Sequence, residues 1–160
     1  MNIDLIVADY SNEQYSIDIM MLLKSYALDP MGGGEPLSNY ANDNLIHELS
    51  KRTDVISIIC YVDNKPAGLV NCFEGFSTFK CKPLLNIHDV VVLREYRGLG
   101  ICQQMLEKIE AIAKERNYCK LTLEVLEGNN AAQSAYLKYG FKAYELDPAN
   151  GKALFWQKEL

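Results

Sequence analysis

The chain has 160 residues, of which 49% are hydrophobic and 23% charged, and its formal net charge is −5. This length suits one domain with a hydrophobic core, and the composition excludes a disordered tail, a collagen-like chain and a coiled coil. Nucleic-acid binders usually carry basic patches, and no apolar run approaches the roughly 18 residues of a membrane span. The first residues show no basic region followed by an apolar stretch, so we expect no secretory signal. We therefore expect a single cytoplasmic domain over residues 1–160, with neither nucleic acid nor membrane as its partner.

Apolar periodicity predicts a single α/β domain with four helices and seven strands around a mixed sheet. The run Val90-Val91-Val92 lies in a continuously apolar stretch, which is typical of a central strand buried on both faces. In chain order the predicted elements are a strand (3–8), two helices (13–26 and 44–52), three strands (55–62, 67–79 and 84–93), a helix (101–116), a strand (121–126), a helix (129–139) and two strands (141–146 and 153–158).

Acidic residues dominate one segment between two predicted helices. Residues 25–50 contain no lysine or arginine but carry the carboxylates of Asp29, Glu35, Asp43 and Glu48. The simpler interpretation is a solvated acidic loop. The alternative is a loop that attracts a cationic substrate.

Five cysteines are scattered along the chain without a C-x-x-C pair. Their number is odd and their spacing matches no zinc site, so we expect reduced thiols and no metal. No cysteine or serine has an activating partner at a recognisable spacing, which argues against a covalent acyl-enzyme.

A glycine-rich turn, Arg97-Gly98-Leu99-Gly100, joins the predicted strand 84–93 to the helix that follows. Backbone N–H groups in such a turn, with the positive end of the helix dipole, form an anion site suited to phosphate. The turn lacks the Gly-Lys-Ser/Thr ending of a P-loop and the third glycine of a dinucleotide fingerprint. Spacing alone therefore leaves both phosphate binding and an ordinary tight turn open.

The run from Val90 to Ile101 resembles the acetyl-CoA-binding motif of the GCN5-related N-acetyltransferase (GNAT) family, Gln/Arg-x-x-Gly-x-Gly/Ala. Arg97 and Gly100 match this motif, whereas Cys102 stands at its last position. A second family pattern, a strand followed by Asn-x-x-Ala, Tyr and Gly-Phe, appears downstream at the usual spacing. Its residues here are Glu124, Asn129, Ala132, Tyr136, Gly140 and Phe141.

The resemblance implies a GNAT fold, which is a mixed, mostly antiparallel central β-sheet flanked by α-helices, with splayed central strands. It implies acetyl-CoA as cosubstrate, with the pantetheine on the central strand, where a bulge opens the sheet, and the pyrophosphate on the glycine-rich turn. It also leaves room for a homodimer, which is common in the family. The cofactor-binding residues that it implies are Val90, Val91, Val92, Arg97, Gly98, Leu99, Gly100, Ile101, Cys102 and Asn129.

Catalysis needs two proton transfers, because the acceptor ammonium must lose a proton before attack and the departing thiolate benefits from gaining one. In the resembling family the tyrosine at the position of Tyr136 protonates the thiolate; the alternative is a core tyrosine, since Tyr136 lies on an apolar helix stripe. His88, Asp89 and Glu124 are candidates for the general base. A regular strand sends His88 and Asp89 to opposite faces, so at most one faces the substrate unless the bulge intervenes.

The predicted function is transfer of the acetyl group from acetyl-CoA to a primary amine of a small cationic acceptor, by direct attack in a ternary complex. Polyamines, amino sugars and amino-acid-like amines all fit this description. One alternative is acetylation of a protein N-terminus or lysine, which Glu124 and Asn129 keep open. The other is a regulatory module that binds acyl-CoA without catalysis.

Overall fold

The computed structural model describes residues 1–160. The chain divides into two compact units, Met1–Leu126 and Glu127–Leu160. The first unit contains a five-stranded sheet, and the second contains one helix and the C-terminal segment. None of the helices has the length and the apolar character needed to cross a membrane.

Eight elements build the first unit, and most coincide with the predicted ones. The second unit holds α4 (Asn130–Tyr139). Short 3-10 turns occur at Pro30–Gly32, Arg94–Tyr96 and Pro148–Asn150. The elements of the first unit are β1 (Ile3–Val7), α1 (Glu13–Leu28), α2 (Asn39–Ser50), β2 (Val55–Val62), β3 (Lys65–Ser77), β4 (Lys82–Val92), α3 (Ile101–Glu115) and β5 (Leu121–Leu123).

Helix α2 begins at Asn39 rather than at the predicted residue 44. Its N-cap is Ser38, whose Oγ accepts a hydrogen bond from the backbone N–H of Ala41 at 3.1 Å. This bond satisfies one of the N–H groups that a helix start leaves without an intrahelical partner. The first turn is rich in polar residues, so the apolar periodicity used for the prediction starts later than the helix does.

The sheet has the strand order β1-β2-β3-β4-β5. The first three pairings are antiparallel, and β4 pairs with β5 in parallel. The hairpin between β2 and β3 turns at Asp63 and Asn64, both with positive φ, as a tight two-residue hairpin turn requires. The mixed, mostly antiparallel sheet expected from the resemblance is therefore confirmed.

Apolar side chains pack on both faces of the sheet. On one face, α3 approaches β3 so closely that a Cβ added to Gly68 would lie 3.2 Å from both Ile101 Cγ2 and Met105 Cε. Full burial of one leucine or isoleucine contributes about 1.5–3 kcal/mol, so the helices hold the sheet firmly. On the other face, the buried cluster of α1 and the sheet comprises Ile19, Leu22, Leu23, Ile59, Leu69 and Val91.

Two irregularities in β4 position the site. The register between β3 and β4 shifts by one residue, with Asn71 opposite Asp89 and Cys72 opposite Ile87, so that His88 is bulged out of the pairing. In addition, β4 pairs with β5 only over Leu85–Ile87 but continues to Val92. The edge of β4 that would face β5 therefore lacks a strand partner beyond the bulge, as expected of splayed central strands.

The prediction of two C-terminal strands at 141–146 and 153–158 was wrong. In their place the structure has a single bridge between Glu145 and Lys152, although the predicted turn between them exists at Pro148–Asn150. An isolated two-stranded pair is marginally stable, because it lacks neighbouring strands and a buried face. Here the apolar side chains of the segment are exposed, as Phe155 and Trp156 show at 74% and 82% exposure.

Candidate active site

The glycine-rich turn is built as an anion-binding helix start. Gly98 and Gly100 have φ angles of 81° and 74°, in the left-handed region that glycine adopts most readily. Gly100 is the N-cap of α3 and provides no side-chain cap, so the first N–H groups of the helix stay available to a ligand. A Cβ added at either glycine meets no atom within 4 Å, so the space beside both glycines is open.

Arg97 links this turn to the acidic segment after α1. Its Nε donates to the carbonyl oxygen of Val92 at 3.1 Å, and its Nη2 donates to Asp29 Oδ2 at 3.2 Å. The pKa of Asp29 is lowered, first by the hydrogen bond from the backbone N–H of Met31 and then by Arg97. The acidic loop thus begins beside the turn, although an exposed ion pair of this kind adds little stability.

The remaining turn and strand residues divide between core and surface. Val91 and Ile101 are buried, so any contact of theirs with a cofactor would use the backbone. Leu99 is exposed. Burial raises the pKa of the Cys102 thiol, which keeps it protonated and unreactive at neutral pH. Val90 and Val92 are partly buried on the open stretch of β4.

The bulge brings two of the three base candidates into contact. Paired residues share a face of the sheet, so the shift in register turns Ile87 and Asp89 to opposite faces although they are two residues apart. His88 Nδ1 lies 3.2 Å from Asp89 Oδ1. The alternation expected for a regular strand therefore does not apply here, and His88 and Asp89 form a pair.

The chemistry of this pair follows from its hydrogen bond. A carboxylate can only accept, so Nδ1 of the neutral imidazole carries the hydrogen and Nε2 keeps its lone pair. The pKa of His88 is raised, first by the hydrogen bond with Asp89 and also by the charges of Asp89 and Glu124, against a smaller opposing effect of burial. The side chain of His88 is 64% exposed and that of Asp89 18%, so the ring is open to an acceptor.

Neighbouring side chains complete the surroundings of the pair. The ring of Phe73 meets that of His88 edge to face, with centroids 5.5 Å apart. Burial raises the pKa of Tyr26, and the negative charges of Asp89 and Asp29 raise it further. This part of the first unit therefore combines aromatic surface with negative charge, which suits an organic cation.

One contact of Asp89 was missed by the sequence analysis. The amide of Asn71 donates from Nδ2 to Asp89 Oδ2 at 3.0 Å. The available signal was a polar residue in the apolar middle of a predicted strand, and Ser57 gives the same signal in the neighbouring strand. Without the register, neither residue could be connected to Asp89.

The second unit contains Asn129 and Tyr136. Asn129 caps α4, because its Oδ1 accepts from the N–H of Ala132 at 3.2 Å. Tyr136 is buried, its ring contacts that of Phe141, and Gly140 ends the helix with φ 116°. The predicted cap is confirmed, while the catalytic role of Tyr136 and the cofactor contact of Asn129 stay predictions.

A family model described as the acetyltransferase (GNAT) family matches residues 20–141. The match includes the bulged strand, the glycine-rich turn, and both Asn129 and Tyr136. It covers more than half of the chain, and the chain therefore belongs to the GNAT family.

Curated relatives carry N-acetyltransferase names. The chain is 30% identical over 99 residues to an uncharacterized N-acetyltransferase of Methanocaldococcus jannaschii, with 61% of this chain and 44% of the relative covered. It is 25% identical over 125 residues to streptothricin acetyltransferase A of Bacillus subtilis, with 73% of this chain and 69% of the relative covered. The chain spans 44% and 60% of the length of two archaeal relatives that it matches.

Solved structures share the fold. AAC(6')-Iy in complex with the bisubstrate analog CoA-S-monomethyl-acetylneamine superimposes with a TM-score of 0.77, with 16% identity and 100% of both chains covered. At this identity the similarity concerns the fold, and it confirms the predicted GNAT architecture.

Proposed function

We propose that the protein is an acetyl-CoA-dependent N-acetyltransferase that acts on a primary amine of a small cationic acceptor. The observation that carries the proposal is the layout of one strand. The His88–Asp89 pair lies at the bulge in β4, the uncapped start of α3 follows the end of that strand, and the stretch between has an open edge. Membership in the GNAT family supports the same assignment.

Acetyl-CoA would bind along this open edge. The N–H groups around Gly98, Gly100 and Ile101 would hold the pyrophosphate, since they combine unpaired donors with the positive end of the α3 dipole. Backbone groups of Val90 to Val92 would hold the pantetheine and the thioester oxygen. Hydrogen bonds to that oxygen stabilise the negative charge that develops on it in the tetrahedral intermediate.

The acceptor must arrive as a free amine, and His88 would remove its proton. Nε2 of His88 takes a proton from the ammonium, directly or through one water, while Nδ1 stays bonded to Asp89. The amine nitrogen then attacks the thioester carbon, a C–N bond forms, the nitrogen loses its second proton to water, and the C–S bond breaks as the thiolate leaves. We assign the proton that the thiolate gains to Tyr136 on the basis of the motif that includes Asn129.

The charge of the site favours a cationic acceptor. Asp89 and Glu124 both belong to the first unit, and residues 25–50, whose Asp29 already pairs with Arg97, supply no lysine or arginine to oppose them. One relative is named streptothricin acetyltransferase A, and one structural neighbour is in complex with the bisubstrate analog CoA-S-monomethyl-acetylneamine. These names support a small amine as the acceptor class for this chain.

The test is a screen for release of the coenzyme A thiol from acetyl-CoA with neamine, streptothricin, spermidine and a peptide with N-terminal alanine. We expect turnover with at least one small amine and loss of that turnover in His88→Gln. Turnover with the peptide alone would favour the protein acetyltransferase. Tight acetyl-CoA binding with no turnover on a wide amine panel would instead favour a regulatory module.

A further inference from the structure

Two polar residues lie side by side in the apolar middle of the sheet. Ser57 of β2 pairs with Asn71 of β3, and these side chains are 1% and 3% exposed. Their strand neighbours, such as Ile58 and Val70, are fully buried and apolar. Burying a polar group in such a position costs free energy unless the group is hydrogen-bonded. The hydrogen-bond partners of Ser57 and Asn71 therefore decide what the pair does.

The two side chains belong to a continuous row of hydrogen bonds that crosses three strands. Tyr10 Oη lies 2.7 Å from Ser57 Oγ. Ser57 Oγ donates to Asn71 Oδ1 at 2.6 Å, and Asn71 Nδ2 donates to Asp89 Oδ2 at 3.0 Å. The other carboxylate oxygen of Asp89 contacts His88 Nδ1. The row therefore ends at the proposed base.

The row has one consistent direction. An ionised Asp89 can only accept, so the amide of Asn71 must present its NH₂ group to Asp89 and its oxygen to Ser57. The Ser57 hydroxyl then donates to Asn71 and accepts from Tyr10. Because each group fixes the orientation of the next, the carboxylate cannot rotate without breaking its part-buried hydrogen bond with Asn71.

We propose that Asn71, oriented by Ser57 and Tyr10, is a positioning residue that holds the Asp89 carboxylate so that its free oxygen orients His88. The inference rests on the proposed function, in which His88 is the general base. Asn71 supplies the tether, Ser57 orients the Asn71 amide, and Tyr10 supports Ser57. The bulge is essential to this arrangement, since it turns Asp89 to the face on which Asn71 lies.

Other charged or titratable groups also act on the pair. Glu124 raises the pKa of His88, and the charge of Asp89 raises the pKa values of Tyr26 and Cys72. None of these groups belongs to the row. A test that changes Asn71 or Ser57 therefore leaves them in place and reports on the row itself.

The direct test is an NMR titration of the histidine side chains in the free protein, which has only two histidines. In Asn71→Val, which removes the amide at similar volume, we expect the midpoint of His88 to fall toward the ordinary value of 6.5, because the freed carboxylate turns away from Nδ1. Ser57→Ala should cause a smaller fall and Tyr10→Phe the smallest. His47, the other histidine, is the internal reference.

Tyr61→Phe is the matched control. It removes the hydrogen bond from Tyr61 Oη to Asp18 Oδ2. This hydrogen bond joins β2 to α1 on buried Asp18, but it lies outside the row. Its His88 midpoint should equal that of the unmodified protein. An unchanged or raised His88 midpoint in folded Asn71→Val would overturn the proposal, and if that variant does not fold, Ser57→Ala decides by the same criterion.

Kinetics separate this inference from the proposed function. With an acceptor found in the screen, Asn71→Val should lower kcat by about 10- to 100-fold, as small misplacements of catalytic groups do, with the acetyl-CoA KM little changed. If His88→Gln keeps its activity, the proposed role of His88 fails whatever the row does. If His88→Gln is inactive but Asn71→Val keeps both kcat and the His88 midpoint, the positioning role alone fails.

Discussion

The two ends of the site differ in what builds them. The turn at Arg97 to Gly100 is made almost wholly of backbone, with two glycines in the left-handed region and an uncapped helix start. The site around the bulge at His88 is made of side chains, which come from three strands and one loop and form hydrogen bonds with one another. The first end suits recognition of a phosphate, while the second suits proton transfer.

This difference predicts a division of labour. Changes at the turn should affect binding of acetyl-CoA, because the donors that hold an anion are there. Changes at the bulge should affect proton transfer and leave cofactor affinity nearly intact. A change at the turn that impaired only proton transfer, or a change at the bulge that abolished acetyl-CoA binding, would contradict this division.

Gly100→Glu should have the largest effect, because it places bulk and negative charge where the pyrophosphate would lie. We expect acetyl-CoA binding to disappear in calorimetry. The fold should survive, since a Cβ at this position meets no atom within 4 Å and a non-glycine residue with positive φ costs only about 1–2 kcal/mol. Gly33→Glu is the control, because Gly33 is also left-handed, with φ 119° and ψ −24°, and a Cβ there also meets no atom within 4 Å; equal losses in both variants would point to backbone strain rather than to a binding site.

Tyr136→Phe tests the motif in the second unit. The change keeps the ring that contacts Phe141 but removes the phenolic proton. General acid catalysis typically contributes 10²–10⁴-fold, so we expect kcat to fall by about that factor with little change in acetyl-CoA affinity. The loss should shrink at alkaline pH, because an ordinary thiol has a pKa of about 8.5 and leaves there as the thiolate unaided. Full activity at neutral pH, with chemistry rate-limiting, would make Tyr136 a packing residue.

Asp89→Asn should have an intermediate effect at the bulge. Asp89 raises the pKa of His88, and His88 acts as a base only when neutral, so kcat/KM should fall as the pH drops through the pKa of His88. Removing the carboxylate lowers that pKa, and the acid limb of the pH profile should move to lower pH while kcat falls by about tenfold or more. An acid limb that stays in place would assign the titration to another group, of which Glu124 is the first to examine.

The same difference explains what could be predicted from the sequence. The turn, β2 and α3 depend on local patterns, and their predicted positions agree with the structure within a residue or two. The contact between Asn71 and Asp89 depends on the register of two strands, which the bulge shifts by one residue. The family resemblance implied a bulge in the central strand, but no local pattern places the shift at His88. The C-terminal strands failed for a related reason, because pairing partners rather than apolar residues decide whether a strand forms.

The smallest expected effect concerns two carboxylates of the acidic segment that belong to neither end. Glu35 and Asp43 are exposed, and if they attract a cationic acceptor, the double change Glu35→Gln and Asp43→Asn should raise the acceptor KM about two- to fivefold, as long-range attraction between exposed charges is weak. The effect should vanish at high salt, because exposed charges are screened beyond about 8 Å at physiological ionic strength. Glu110→Gln, a change on α3 that leaves this segment intact, should not alter the KM. A KM that responds to neither the double change nor salt would reduce Glu35 and Asp43 to ordinary solvated surface charges and leave Asp89 and Glu124 as the charges that select the cation.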